Sequence, residues 1–313
     1  MRYSGIGGQA IMEGVMMRNG NSYAVAVRLP DQSIHVDVHQ VKGIHEGIQK
    51  IPIVRGVYTF FWSLIIGLGS LMESASYFEE EGDAKVDKQN LSEEEQKKLE
   101  RKEKAEMGGT LLLSFVLALG IFMALPYGIS ALLGRFIANP MLTAFIEGVL
   151  RVVIFILYIA IISKTDDIKR TFMYHGAEHK CINCIESGLE LTVENVRKST
   201  RLHKRCGTSF LFIVLLISIF IFMFIRMDSH LLQLVLRLLL VPVIAGISYE
   251  FIRLAGRTEN KLINALSQPG LWMQKLTTKE PDDDMIKVGI ASVEAVFDWK
   301  SFLEGDEARC SIS

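Results

Sequence analysis

The stretch Met107-Gly-Gly-Thr-Leu-Leu-Leu-Ser-Phe-Val-Leu-Ala-Leu-Gly-Ile-Phe-Met-Ala-Leu-Pro-Tyr-Gly-Ile-Ser-Ala-Leu-Leu-Gly134 contains no charged side chain. A helix needs roughly 20 apolar residues to cross a hydrocarbon core, and it satisfies its own backbone N–H and C=O groups while doing so. The stretch therefore reads as a membrane span. Three more follow: about 141–163, carrying Glu147 and Arg151; 207–225, uncharged; and about 231–252, carrying Arg237. Half of the residues are hydrophobic and mean hydropathy is +0.28, and no positively flanked segment with a small-residue cleavage site opens the chain. The expected fold is a membrane protein of four transmembrane α-helices in two hairpins, made without a signal peptide.

Lys and Arg gather on the cytoplasmic side of such helices. The connections after the first and third spans offer only Arg135 and Arg226, whereas Lys164, Lys169, Arg170, Lys180, Arg197, Lys198, Arg201, Lys204 and Arg205 crowd the central loop, and Arg253, Arg257 and Lys261 follow the last span. Both termini and the central loop are thus expected in the cytoplasm. The segment from Arg55 to Glu73 places 17 residues between charges and is interrupted by Gly67 and Gly69, so it reads as interfacial or re-entrant.

The polar parts have patterns of their own. Tyr23, Val25 and Val27 alternate with small or polar neighbours, Pro30-Asp31-Gln32 makes a turn, and Ile34, Val36 and Val38 alternate with His35, Asp37 and His39, which predicts a β-hairpin. Ahead of it, Gly5 to Arg18 is glycine-rich, with Gln9, Glu13 and Arg18 as polar ends, yet it has neither the Lys-Ser/Thr ending nor the preceding strand of a phosphate-binding loop. Ser92 and Glu95 form a capping box for a solvated helix, and Ile286, Ile290, Val293 and Phe297 after Pro281-Asp282 predict an amphipathic helix that packs on the cytoplasmic portion. The expected organisation is a β-hairpin region (1–54), an interfacial helix (55–76), a charged linker (77–106), a first transmembrane hairpin (107–163), a His/Cys loop (164–206), a second hairpin (207–255) and a C-terminal cytoplasmic region (256–313). The cytoplasmic portion is α+β.

Chemistry concentrates in His175-Gly-Ala-Glu178-His179, Cys181, Cys184, His203 and Cys206. On a helix, residues i, i+3 and i+4 share a face, so two imidazoles flank one carboxylate, as in the inverted zinc-protease pattern H-x-x-E-H. In a cytosolic setting thiols stay reduced, which favours metal ligation or packing over disulfides. One assembly, Cys181, Cys184, His203 and Cys206, is a closed structural zinc site. Another takes His175, His179 and either His203 or Cys206 as ligands of a divalent metal, zinc by ligand type, with Glu178 as base at an open position. Two further readings need no metal: histidines that only hydrogen-bond at the membrane surface, and a cluster of His175, His179, Lys180, His203, Lys204 and Arg205 that holds a phosphate or anionic lipid head group.

Charges inside a bilayer are costly unless paired. Glu147 and Arg151, and Glu250 and Arg253, are spaced for helical ion pairs. Glu250 and Arg253 also sit at the cytoplasmic end of the last span, where they are expected to flank His203 and Cys206, Glu250 orienting an imidazole. Gln9, Glu13, Arg18 and Arg205 are candidates to complete the pocket.

The motifs Gly7-Gly-Gln-Ala-Ile-Met-Glu-Gly-Val-Met-Met-Arg18, Tyr174-His-Gly-Ala-Glu-His-Lys180, His203-Lys-Arg-Cys-Gly-Thr208, Tyr249-Glu-Phe-Ile-Arg253 and Thr278-Lys-Glu-Pro-Asp-Asp283, in this order, resemble the YqhQ family of bacteria. The resemblance implies a multi-pass protein of the bacterial cell membrane, described as a predicted metal-dependent enzyme, with His175, Glu178, His179, His203 and Cys206 in its motifs and Cys181 and Cys184 outside them. The functional expectation is a metal-dependent hydrolase at the cytoplasmic face. Its rival is a membrane scaffold or assembly factor that binds a protein there and uses any metal, or an anionic-lipid site, structurally. A transporter is disfavoured, since four spans leave little room for a midplane site. A net charge of −1 argues against nucleic acid as a partner, while the basic central loop suits membrane lipid. The oligomeric state is not legible.

Overall fold

The computed structural model describes residues 2–41, 46–78, 93–225, 227, 229–258 and 260–305. Four strands, β1 (Gly7–Ile11), β2 (Gly14–Asn19), β3 (Ser22–Arg28) and β4 (Ile34–Gln40), form an antiparallel meander in sequence order. Twelve α-helices follow among the described residues: α1 (Glu46–Gln49), α2 (Val54–Ser76), α3 (Glu93–Leu119), α4 (Leu125–Leu133), α5 (Pro140–Ile162), α6 (Asp166–Glu186), α7 (Val193–Lys198), α8 (Gly207–Phe222), α9 (His230–Ala255), α10 (Lys261–Thr277), α11 (Asp283–Glu294) and α12 (Trp299–Glu304), with a π-helical turn at Gly120–Ala124. The chain divides into two compact units, one of residues 1–78, 159–217 and 227–313, the other of residues 79–158 and 218–226.

In the first unit the expected hairpin is present as β3 and β4, with Ala24 opposite Val38 and Ala26 opposite Val36. The glycine-rich segment before it, whose sequence carries no strand alternation, forms β1 and β2. Both faces of the sheet are covered. Ala24, Ala26, Val15 and Met17 join Tyr174, Ile182 and Ile185 of α6 and Ile286 and Val293 of α11 in the main core, while Ile11, Met16, Val25 and Val27 pack on Trp62 and Ile66 of α2. The small alternating residues of β3 thus face a core, because α6 and α11 lie close. That closeness requires Gly176, where a Cβ would strike the Lys279 carbonyl, and Gly289, where it would sit 3.0 Å from Cys181 Sγ. Helix α11 starts where Asp282 accepts from Met285 N–H at 2.8 Å, with Asp283 and Asp284 favourably placed in its first turn.

Helix α2 runs unbroken through Gly67 and Gly69, where the sequence suggests an interruption. Gly67 instead admits the Gln9 side chain, which donates to the Gly67 carbonyl at 3.3 Å. The end of the helix is tied to the sheet: Met12 N–H donates to Ser74 (3.2 Å), His39 meets Glu73 (2.8 Å) and Tyr77 donates to Asp37 (2.5 Å). Its start lies against α9, Gly56 beside Gly246, with Arg55 engaging both oxygens of Glu250.

In the second unit the Glu147–Arg151 pair forms at 2.8 Å, each residue 4% exposed. Arg151 also donates to the Phe122 carbonyl at 3.1 Å and to Ser218 at 3.2 Å. Pro126 lacks an N–H, so the carbonyl four residues earlier, Phe122, loses its helical partner, and the guanidinium takes it up. The Ser92 cap lies outside the described residues, but the polar helix does run on into the apolar stretch as α3.

Among the described residues, four helices are long and apolar enough to cross a membrane: Val54–Ser76, Gly108–Leu133, Pro140–Ile162 and Leu231–Ala255. The count is the expected one, with different members. Helix α2 qualifies by length, whereas α8 has 16 residues, about 24 Å at 1.5 Å per residue and so short of a hydrocarbon core of about 30 Å.

Candidate metal centre

Helix α6 opens with Asp166 and Asp167 at its positive end and carries His175, Glu178 and His179 on one face, as their spacing predicts. The two rings meet edge to face with centroids 4.4 Å apart. Cys206, at the start of α8, brings Sγ to 3.3 Å from His175 Nε2, and the Thr208 N–H donates to that sulfur at 3.3 Å. Ligand atoms of His175, His179 and Cys206 all lie within 4.8 Å of one another, and they form the one such group among the described residues.

Backbone carbonyls hold the far side of both rings. His175 Nδ1 donates to Thr277 O at 2.9 Å and His179 Nδ1 to Arg201 O at 2.6 Å. Carbonyl oxygens only accept, so both Nδ1 atoms carry protons and both Nε2 atoms are directed at the shared point. Metal-binding histidines are oriented in this way. Glu178 Oε2 stands 3.8 Å from His175 Nε2 and 3.9 Å from His179 Nε2. Gly8 of β1 presses on it: its backbone N–H serves the carboxylate, and a Cβ at Gly8 would lie 2.8 Å from Glu178 Cγ.

The charges in this cluster are coupled. Burial alone would push the Cys206 thiol up, but the imidazoles of His179 and His175 outweigh it and hold it well below the usual thiol range. Burial likewise opposes charge on His175, yet the Cys206 sulfur and Glu178 prevail and raise that ring to about 9. Burial raises Glu178, with His179 and His175 pulling it back only in part. The cluster is thus biased towards negative charge on the Cys206 sulfur and positive charge on His175.

His203 stands beside this group. Its ring centroid is 5.7 Å from that of His179, and its Nε2 lies 3.6 Å from Glu186. Burial keeps it neutral despite that carboxylate. Its backbone is clamped by Gln274, which accepts from His203 N–H at 2.8 Å and donates to its carbonyl at 2.7 Å. Cys181 and Cys184 belong to the main core on the other side of α6, where Cys184 faces the carbonyls of Leu189 and Glu190. The Cys181, Cys184, His203 and Cys206 assembly is therefore not formed.

A cavity of about 640 Å³ opens onto the cluster, and Gln9, Arg18, Arg205 and Arg253 line it together with His175, Glu178, His179, His203 and Cys206. Two expected pocket residues are used elsewhere. Glu13 binds Arg170 through both oxygens at 2.5 Å and accepts from Tyr174 at 3.2 Å, and Glu250 is taken by Arg55. The carboxylate facing an imidazole is Glu186, which sequence reading missed. It lies seven residues beyond His179, two turns along the same face of α6. Lys180 and Lys204 also turn away, Lys180 to the carbonyls of Arg197 and Ser199 and to Glu280, and Lys204 to Asn264.

The class is a protein with helices of membrane-crossing length and an α/β portion that converges two imidazoles and a thiol, a group that could hold a metal ion. The chain belongs to the DUF1385 family, a protein family of unknown function whose profile matches residues 51–299. It is 32% identical over 314 residues to the uncharacterized protein YqhQ of Bacillus subtilis (strain 168), covering 96% of this chain and 95% of that relative. No solved structure matches it.

Proposed function

We propose that this protein is a metal-dependent hydrolase working at the cytoplasmic face of the membrane, with His175, His179 and Cys206 as ligands of a zinc-type cation and Glu178 as general base. The observation that carries this reading is the convergence of two Nε2 atoms and one cysteine sulfur while both Nδ1 atoms are braced by carbonyls. Two nitrogens and a sulfur are a donor set that zinc accepts, and three protein ligands leave a position open. When bound, the cation supplies Lewis acidity that makes water nucleophilic near neutral pH. The chain's own residues do the rest. Glu178, buried and of raised proton affinity, takes a proton from water on the cavity side and returns it to the leaving group. The Gly8 N–H fixes the rotamer from which it does so, and neutral His203 walls the site.

The contacts of α2 support an interfacial placement. Its end hydrogen-bonds to the sheet and its start to the end of α9, while Phe61, Leu64 and Ile65 are exposed on the other side, the pattern of a helix lying in the head-group plane. Helices α3 to α4, α5 and α9 then cross the bilayer, and so does the segment 207–225, in which Met223 to Ile225 extend the apolar run beyond the last helical residue of α8, with both termini in the cytoplasm.

The test is metal content and turnover together. Purified protein should carry close to stoichiometric zinc, His175→Ala with His179→Ala should lose it, and Glu178→Gln should keep it while losing hydrolysis across a panel of ester and phosphoester substrates. Full activity in Glu178→Gln, or equal metal in both proteins, ends the proposal. The scaffold reading has one observation of its own, that the same ligands strap the segment after α7 to α6 and α10. It requires ligand loss to unfold the protein.

A further inference from the structure

The cavity beside the metal centre has a lopsided charge. Arg18, Arg55, Arg205, Arg253 and Arg257 line it, and Glu178 is its one acidic lining residue among the described residues. Two of these arginines are committed, Arg55 to Glu250 and Arg205 to Glu186 at 2.5 Å. The other three form no ion pair with a carboxylate among the described residues. Arg18 of β2 donates Nε to the Gly20 carbonyl at 3.0 Å, and Arg257 lies over the Tyr3 ring at 5.5 Å. Arg253 in the last turn of α9 and Arg257 in the turn just after it line the cavity together with Tyr249. The opposite wall is the polar side of α2, Thr59 and Ser63 following Arg55 at helical spacing.

Guanidinium groups are weakly hydrated forks suited to oxyanions with several acceptor oxygens. Arg253 feels Glu250 through space without forming an ion pair with it, so three guanidiniums with donors to spare line one half-enclosed space and attract such an anion. We propose that this cavity binds a phosphate-type oxyanion through Arg18, Arg253 and Arg257, so that the scissile ester of a phosphorylated substrate faces the His175, His179 and Cys206 centre. The proposal rests on the hydrolase reading and names its substrate class. The phosphate belongs either to a lipid head group, entering past the exposed apolar face of α2, or to a soluble phosphate ester.

Binding separates this proposal from catalysis. With full-length protein in detergent, stripped of metal by a chelator, inorganic phosphate is titrated and followed by calorimetry. The expected result is saturable binding that weakens roughly tenfold or more in Arg253→Gln and in Arg18→Gln, the loss typical of one charge-assisted contact. Arg253→Lys, which keeps the charge but not the fork, should recover binding in part and guards against a folding defect. Displacement of bound phosphate by glycerol 3-phosphate and by phosphatidate in mixed micelles then identifies the source: a clear preference for phosphatidate marks a lipid, and equal displacement marks a soluble ester. Absence of phosphate binding, or binding unchanged in both Gln variants, overturns the proposal whatever the metal experiments give. Phosphate binding with no metal in the native protein would leave the anion site standing and remove the hydrolase.

Discussion

Replacing Glu186 by Gln tests whether the wall of the cavity beside His203 is held by ionic contacts. Glu186 is 4% exposed and accepts from Ser4 N–H at 2.9 Å, from Ser4 Oγ at 2.7 Å and from Arg205 Nη2 at 2.5 Å. Burial opposes its ionisation, but His203, Arg205 and the Ser4 N–H outweigh it and carry the carboxyl from 4.5 down to about 2. At 1.36 kcal/mol per pH unit, that drop corresponds to ~3 kcal/mol of folding stability. The folded-state value is the depressed one, so this stability is fully present above pH ~4.5 and is lost as pH falls towards 2. Gln resembles the protonated carboxyl in charge and shape. Glu186→Gln should therefore melt roughly 5 °C below the native protein at pH 7, and at pH 3 the gap should shrink to less than half. Scanning fluorimetry of the detergent-solubilised pair at both pH values reads this directly. An equal midpoint at pH 7, or a gap that does not narrow at pH 3, refutes the argument.

Further outcomes follow from other contacts. Gly8→Ala places a Cβ 2.7 Å from the Met16 carbonyl and 2.8 Å from Glu178 Cγ; it should cost about 1–3 kcal/mol and lower turnover more than metal content, measured by melting, elemental analysis and rate. Gln274→Ala removes both hydrogen bonds to the His203 backbone and one to Ser209, and should destabilise by about 2–4 kcal/mol with faster loss of metal to a chelator. Cys206→Ala should abolish metal retention, whereas Cys181→Ala and Cys184→Ala should leave it intact and cost only packing, which elemental analysis decides. Glu147→Ala strands Arg151 beside its remaining partners and should destabilise by about 3–5 kcal/mol, while Glu147→Leu combined with Arg151→Leu should recover most of that in a thermal melt.

Where sequence reading worked, it did so because a period or a spacing was complete within one element. The apolar runs, the β3 and β4 alternation, the α6 face bearing His175, Glu178 and His179, and the helix after Asp282 are all local patterns. Where it failed, the deciding partner lay far along the chain. Nothing around Glu250 announces Arg55, 195 residues away, and its place at the end of a helix points only to the neighbours nearest in sequence. Gly67 reads as a breaker until Gln9 is seen to fill the space it leaves. Gly8 reads as loop until Glu178 is found beneath it. Glu186 was legible in principle, being on the His179 face of α6, but a carboxylate two turns away carries no signal until Arg205 and Ser4 converge on it. The cationic cavity was least legible of all, because its arginines come from β2, α9 and the turn after α9, and only folding separates them from Lys180 and Lys204, which bond elsewhere.

The carbonyls that brace the two rings belong to Arg201 and Thr277, and they set an order on biosynthesis. When the ribosome has made α6, both imidazoles exist but neither is fixed; Cys206 and Arg201 arrive next, and the His175 brace comes only with residue 277, after every helix of membrane-crossing length has been synthesised. A chain halted before Thr277 thus has both imidazoles but holds only one of them by its far nitrogen.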